Sequence, residues 1–443
     1  MSDLTALLLG GPLDAATLQA RLDVSQATLS RLIQAEPQVL KTGRARATRY
    51  LLLRPLRGES AFPLWQVNAA GQAQSSGTLY TVWPVGHCVV ESAAGGWQHF
   101  AGLPWYLSDM RPQGFLGRAW GRDCAQRLGL TEDIRQWGED ECLLALSHAG
   151  SDIPGNWLVG DDSYRRWLQA SSPLALRQAE KAAAYPQLAS RALAGEEPGS
   201  SAGGEQPKFT CYAGGEHGGA AHLLVKFTPA RSNENSQRWR DLLYAEALAL
   251  RLMNEYGLAA AAATLLDADN GQRFLEVVRF DRQGSRGRDD MVSLEAVQAE
   301  FTGSQRHWPE ALAELVRQKR LGAADAERGT LQWAFGRLIA NGDMHAGNLS
   351  FFLRDGRLTL TPAYDMLPMS FAPGATGQMR DSAPELKLDL SLNRACWQTA
   401  WQMADSYWQQ LSEEAACSAD FQRLAAEMRE KLSELTGQIA RMA

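Results

Sequence analysis

No apolar run in this chain approaches the roughly 18–20 residues that a membrane-crossing helix needs. The start, Met1-Ser2-Asp3-Leu4, lacks the basic segment and cleavage site of a secretory leader. Cysteine is sparse: Cys88, Cys124, Cys142, Cys211, Cys396 and Cys417 are scattered without a CxxC pair. That spacing excludes a zinc ribbon and a disulfide framework, and reads as thiols in a reducing compartment. A cytoplasmic protein with no membrane partner is expected. Also missing are an internal repeat and any overall excess of positive charge. The net charge is −6, with 45% hydrophobic and 21% charged residues in 443, so a chain coated in basic surface is excluded and an ordinary globular composition remains. The length suits two to four domains.

The charge is uneven. Seven basic and four acidic residues in the first 54 positions give +3, which leaves −9 for the rest. A basic end on an acidic body points to nucleic-acid contact confined to one domain. Asp3–Leu9 reads as a short helix closed by Gly10-Gly11-Pro12. Asp14 can cap a second helix, and Ser25 a third beginning Gln26-Ala27-Thr28-Leu29. Val39–Lys41 and Thr48–Leu53 are β-rich and flank the basic turn Thr42–Arg46. Helix, turn, helix and basic hairpin form the winged helix-turn-helix pattern. It would place Gln26, Thr28 and Arg31 against base edges and Lys41, Arg44, Arg46 and Arg49 against phosphates. A small helical dimerisation unit with a solvated basic loop is the plainer alternative.

Four segments are expected: 1–56, a β-rich unit with helices at 60–150, a second unit at 151–290 and a mainly helical one at 291–443. His87 and His99 have no ligand-spaced partners and read as packing residues. The Gly-, Ser- and Ala-rich stretch Ala192–Gly204 reads as a mobile loop. Expected strands Lys208–Tyr212, His222–Phe227 and Phe274–Val278 surround a long helix, Gln237–Tyr256, with apolar residues at helical spacing.

The most informative stretch is Asn341-Gly342-Asp343-Met344-His345-Ala346-Gly347-Asn348, followed by Tyr364-Asp365-Met366. Phosphoryl transfer of the protein-kinase type needs an Asp to orient the attacking hydroxyl, an Asn for a metal, and a later Asp for the metal bridging the nucleotide phosphates. Asp343, Asn348 and Asp365 stand in that order, and Mg²⁺ suits such a sparse oxygen set. A polar surface turn is the bland alternative, but apolar runs flank both acids. Upstream, Lys226 ends a strand where a lysine can meet ATP phosphates, and Glu246 on the next helix can pair with it. Glu276, Val277 and Val278 are the expected adenine hinge. His345 is placed beside the catalytic Asp as a brace for the loop rather than a proton carrier.

The wording of these motifs resembles the HipA family of bacterial serine/threonine kinase toxins. The matching words are Ser200-Ser201-Ala202-Gly203-Gly204-Glu205-Gln206-Pro207-Lys208, Val225-Lys226-Phe227-Thr228-Pro229, Arg279-Phe280-Asp281-Arg282, Asn341–Asn348 and Ala363-Tyr364-Asp365-Met366. The likeness is greatest to the YjjJ/HipH type, which carries its own N-terminal helix-turn-helix. It implies an α+β fold, with a winged helix-turn-helix before a bilobal, kinase-like body of β-rich N-lobe and helical C-lobe. It also implies ATP and Mg²⁺ as cofactors, a phosphate-cradling turn with Gly203, Gly204, Gln206 and Lys208, and autophosphorylation of Ser201, with Ser200 next. Glu205 departs from the resemblance, since its carboxylate in that turn would repel ATP unless it points outward. Implied partners are a protein substrate of the aminoacyl-tRNA synthetase class, DNA through residues 1–56 and a HipB-like antitoxin. The Gly-Asp-x-His-x-Gly-Asn loop also resembles aminoglycoside kinases, so a small-molecule phosphotransferase is the second expectation. A nucleotide-sensing DNA binder without kinase activity is the third, and a metal-dependent nuclease ranks below these.

Overall fold

A computed structural model describes residues 2–195, 205–215, 219–303, 307–354, 356–374, 376–380 and 382–442. The chain begins with three helices, Asp3–Leu8, Ala15–Leu22 and Gln26–Ala35, and a hairpin, Val39–Thr42 with Arg49–Leu52. Each helix starts on a side-chain oxygen: Ser2, Asp14 and Ser25 accept from the amides of Thr5, Thr17 and Thr28, which satisfies donors the first turn leaves open. Leu4, Leu8, Leu18, Leu29 and Leu52 close a small core. The hairpin docks on the next unit through Leu51, Val82 and Val89. Arg54 adds a fork to both oxygens of Asp140, each at 2.6 Å.

That next unit is a five-stranded antiparallel sheet in the order Trp97–Phe100, His87–Ser92, Ala73–Val82, Ala61–Val67, Trp157–Val159. Its last strand and the helix Gly160–Gln169 carry the unit past the expected boundary at 150. A three-residue strand reached after two helices leaves too little periodicity to be read locally. The sheet register also brings together two histidines that sequence spacing left apart, with His87 Nδ1 lying 3.2 Å from His99 Nε2.

The third unit is a four-stranded antiparallel sheet, in the order Ala263–Asp267, Arg273–Val278, Ala220–Phe227, Lys208–Gly214. One face packs on the helix Lys181–Ala194 through Tyr185, Phe209, Val225 and Phe274. On the other, Leu275 and Val277 pack on Leu243 of the helix Glu234–Glu255. The helix ending at Ala194 takes the first three residues of the expected loop. Residues 196–204, and with them Ser200, Ser201, Gly203 and Gly204, lie outside the described residues.

The remaining unit is mainly helical, with Trp308–Arg317, Ala323–Leu338, Arg394–Glu413 and Ala419–Glu434 around the largest core. Against them lies a small sheet of Val292–Ser293, Ser350–Arg354 and Arg357–Leu360. The fold is mixed α+β. No disulfide joins the cysteines. Among the described residues no helix is long and apolar enough to cross a membrane.

Candidate active site

Between the four-stranded sheet and the helical unit lies a cleft of about 190 Å³. Strand alternation decides which side chains reach it. Lys226 lies opposite Lys208 on one neighbouring strand and Leu275 on the other, so both lysines share the cleft face with Leu224 and Val277. Glu276 is one residue out of phase. Its carboxylate turns to the opposite face, where Lys181 Nζ donates at 2.8 Å and Tyr185 OH at 2.7 Å. Val277 and Val278 line the cleft and Glu276 does not.

Lys226 is the centre of the site. Its ammonium donates to Glu246 Oε1 and Oε2 at 2.6 and 2.7 Å and to Asp365 Oδ1 at 2.5 Å. The Lys226 and Glu246 side chains are 4% and 0% exposed, and that dryness sets the charges. Burial alone would depress the Lys226 ammonium, but Asp365 and Glu246 outweigh it and hold the group above the usual lysine range. Burial pushes the Glu246 carboxyl up, against the pull of Lys226. It pushes Asp365 the same way, yet Lys226 and Lys208 more than offset it and hold that carboxyl low. Burial, with the repulsion of Lys226, brings Lys208 down to about 8 against the pull of Asp365. The backbone at Asp365 has φ +55°, a conformation that costs a non-glycine residue energy and persists only where the surroundings impose it.

The loop from Asn341 to Asn348 is braced from within. Buried Asn341 accepts from the Asp343 amide at 3.0 Å. His345 Nδ1 accepts from Gly347 N at 3.0 Å. A Cβ at Gly347 would meet that ring at 2.8 Å, so only glycine lets the imidazole fold back. His345 Nε2 is 3.8 Å from Asp343 Oδ1, too long for a hydrogen bond. Tyr364 OH donates to the Gly347 carbonyl at 2.8 Å and lies 2.7 Å from Ser350 Oγ, clamping the loop to its strand. Asp343 stands at the mouth of the cleft with its side chain 53% exposed, while His345, Gly347 and Asn348 line the cleft.

Asn348 Nδ2 donates to the Asp343 carbonyl at 2.7 Å, which leaves its Oδ1 for a cation. Among the described residues Asp365 Oδ2 takes no hydrogen bond from Lys226, which bonds only Oδ1. Two hard oxygens with room for phosphate and water fit Mg²⁺. Among the described residues, no cluster of three or more His, Cys, Asp or Glu could hold a metal. Glu205 is exposed, its carboxylate 2.5 Å from Arg118 and its side chain 74% accessible. Gln206 is half-buried.

Among the cleft-lining residues to which sequence reasoning gave no role are Asp109, Phe280 and Glu295. Asp109 comes from the five-stranded unit and accepts from the Ser293 amide at 2.6 Å, a contact across 184 positions. Burial pushes its carboxyl up despite the Ser293 bonds. Phe280 lies in a word that the resemblance had already singled out.

The seven residues expected to meet DNA lie together on the N-terminal unit, far in sequence from this cleft. Gln26, Arg31, Lys41, Arg44, Arg46 and Arg49 are exposed and Thr28 is half-buried. The Thr28 amide is bound by the Ser25 cap.

Two family models match the chain: the middle domain of YjjJ-like toxins over residues 58–168 and the HipA-like C-terminal domain over residues 200–440. The chain belongs to the HipA-like toxin family. It is 49% identical over 442 residues to Toxin YjjJ of Escherichia coli (strain K12), covering 100% of both chains. Among solved structures, it is similar to a chain of the Shewanella oneidensis MR-1 complex of HipA, HipB and operator DNA. That likeness has 14% identity, covers 85% of this chain and 97% of that one, and has a TM-score of 0.45. The Helicobacter pylori proinflammatory kinase CtkA is similar over 54% of this chain and 90% of its own, with 13% identity and a TM-score of 0.38.

Proposed function

We propose that this HipA-like toxin is an ATP- and Mg²⁺-dependent protein serine/threonine kinase that phosphorylates itself on Ser201 or Ser200. The observation that carries the reading is the buried Lys226 held between Glu246 and Asp365 inside the cleft. A dry lysine fixed by a helix carboxylate is what a phosphotransferase uses to hold nucleotide phosphates. Asn348 and Asp365 would hold the metal, which when bound neutralises phosphate charge. Asp343, exposed at the cleft mouth, would orient the acceptor hydroxyl and take its proton. Val277, Val278 and Phe280 give the base an apolar seat. His345 holds the loop in shape through Gly347 and transfers no proton.

Residues 1–56 act, in this reading, as a winged helix-turn-helix on DNA. The support is a capped helix whose first turn exposes Gln26, followed by a hairpin exposing Lys41, Arg44, Arg46 and Arg49. A HipB-like antitoxin and a further protein acceptor are the partners that family membership suggests.

The test is intact mass after incubating dephosphorylated protein with Mg²⁺ and ATP, beside Asp343→Asn. Gain of one phosphate on Ser201 or Ser200 by the parent alone supports the kinase. A second reading, a small-molecule phosphotransferase, draws on two further carboxylates, Asp109 and Glu295, that line the cleft and would suit a cationic acceptor. No serine phosphate, together with transfer to an aminoglycoside, would favour it.

A further inference from the structure

The N-terminal hairpin does not stand free. Its Leu40, Leu51 and Leu53 pack on Tyr80, Val82, Val89 and Trp97 of the five-stranded sheet. Tyr80 lies opposite Val89, and Val89 opposite His99. Strand alternation therefore puts His87, Glu91, Trp97 and His99 on the face that the hairpin covers. Trp97–Phe100 is an edge strand of that sheet. Between it and the hairpin tip runs a groove of about 420 Å³, with Arg44 and Arg49 on one wall and Glu91, Gly95 and His99 on the other.

Uncommitted donors line this groove. Arg44 is exposed, and its guanidinium has no hydrogen bond or ion pair among the described residues. Arg49 gives Nη1 to the carbonyls of Arg46 and Thr48, at 3.2 and 2.9 Å, which leaves its Nε and Nη2. The tip that carries both is tightly closed, since a Cβ at Gly43 would meet the Ala47 carbonyl at 2.4 Å. On the other wall the exposed turn Ala93-Ala94-Gly95-Gly96 bears nothing larger than a methyl, so a polymer backbone can come close. Among the described residues the one acid lining the groove is half-buried Glu91, against two guanidiniums.

His99 adds a charge that depends on pH. Its Nε2 lies 3.2 Å from His87 Nδ1. Two protonated rings cannot bond there, because both facing nitrogens would carry hydrogen, so the pair resists a second proton. Burial, then His87, holds His99 below the usual histidine range. Around it stand His87 and Glu91 on the next strand, and Arg44 and Arg49 on the hairpin. Tyr80, beyond them, is neutral, its phenol pushed up by burial and Glu91. Once His99 is charged, its Nε2–H donates to His87. Its Nδ1–H, which has no partner among the described residues, is left for a ligand in the groove.

We propose that this groove seats a phosphodiester of bound DNA and that His99 contacts it together with Arg44, so that the five-stranded unit shares in DNA binding and ties its strength to pH. This rests on the reading of residues 1–56 as a DNA-binding unit. A phosphate beside His99 favours the charged ring. Binding then takes up a proton, and affinity rises as pH falls towards the pKa of the DNA-free protein.

Fluorescence anisotropy of the full-length protein with a labelled mixed-sequence duplex, at several salt concentrations and between about pH 8 and about pH 5.5, tests it. The parent should bind about fivefold or more tightly at the lower pH, with a salt slope steeper by up to about one. His99→Gln should match the parent at the higher pH and lose most of that gain. His99→Lys, charged throughout, should bind at the higher pH about as tightly as the parent does at the lower. Arg44→Ala gauges the DNA reading by itself and should be weaker at every pH. If Arg44→Ala weakens binding while the His99→Gln profile coincides with the parent's, the proposal is overturned and the DNA reading stands. A parent that binds no duplex at any pH would overturn both.

Discussion

Lys226→Met removes the ammonium that bonds both Glu246 and Asp365. Among the described residues Glu246 is then a fully buried carboxylate with no hydrogen-bond donor, beside a second carboxylate that loses its bonded cation. Breaking a buried pair from one side costs about 3–5 kcal/mol, most of it the uncompensated charge. That charge can be discharged by a proton. Burial and Asp365 both raise the Glu246 carboxyl, and Lys226 is the largest influence holding it down. In the variant the folded-state pKa therefore climbs further above the unfolded value of about 4.3. The folded protein then binds a proton that the unfolded chain releases, so stability rises as pH falls through the folded pKa, at up to about 1.4 kcal/mol per pH unit. The deficit against the parent should be largest near pH 8 and shrink towards pH 5.5. Equilibrium urea unfolding at several pH values, followed by far-ultraviolet circular dichroism, measures it. The Lys226→Met/Glu246→Gln variant, which replaces the buried pair with uncharged groups, should return to within about 1–2 kcal/mol of the parent at pH 8. A deficit independent of pH, a loss below about 1 kcal/mol at pH 8, or a double variant weaker than the single one would refute the reasoning.

Asp343→Asn should lower phosphate transfer about 10²–10⁴-fold while leaving nucleotide affinity nearly unchanged, because Asp343 stands at the mouth of the cleft outside its lining; single-turnover transfer and a fluorescent-nucleotide titration separate the two. On the N-terminal unit, Arg44→Ala should weaken DNA binding evenly across sequences and reduce the salt slope by about one. Gln26→Ala should instead relax discrimination between sequences. Asp140→Asn breaks the fork that ties Arg54 to the five-stranded unit; limited proteolysis should then cleave near residues 53–60 at lower protease than in the parent, with a loss of about 1.5–3 kcal/mol in that local stability.

The parts of the site legible in the sequence are those written locally. Asn341–Asn348 is one loop, and the bonds that brace it from within run over eight residues or fewer, so spacing identifies its members. Lys226 and Glu246 were legible because an apolar strand followed by a regular helix leaves few places for them. Glu276 shows where this reasoning ends. A strand buried on both faces carries no polar-apolar alternation to phase it, and Arg273–Val278 is buried nearly throughout. The sequence therefore could not say whether Glu276 or Val277 faces the nucleotide side. The partner that decides it, Lys181, is 95 positions away. Asp109 and the His87–His99 pair fail for the same reason, as products of register and docking between segments that carry no mark of each other.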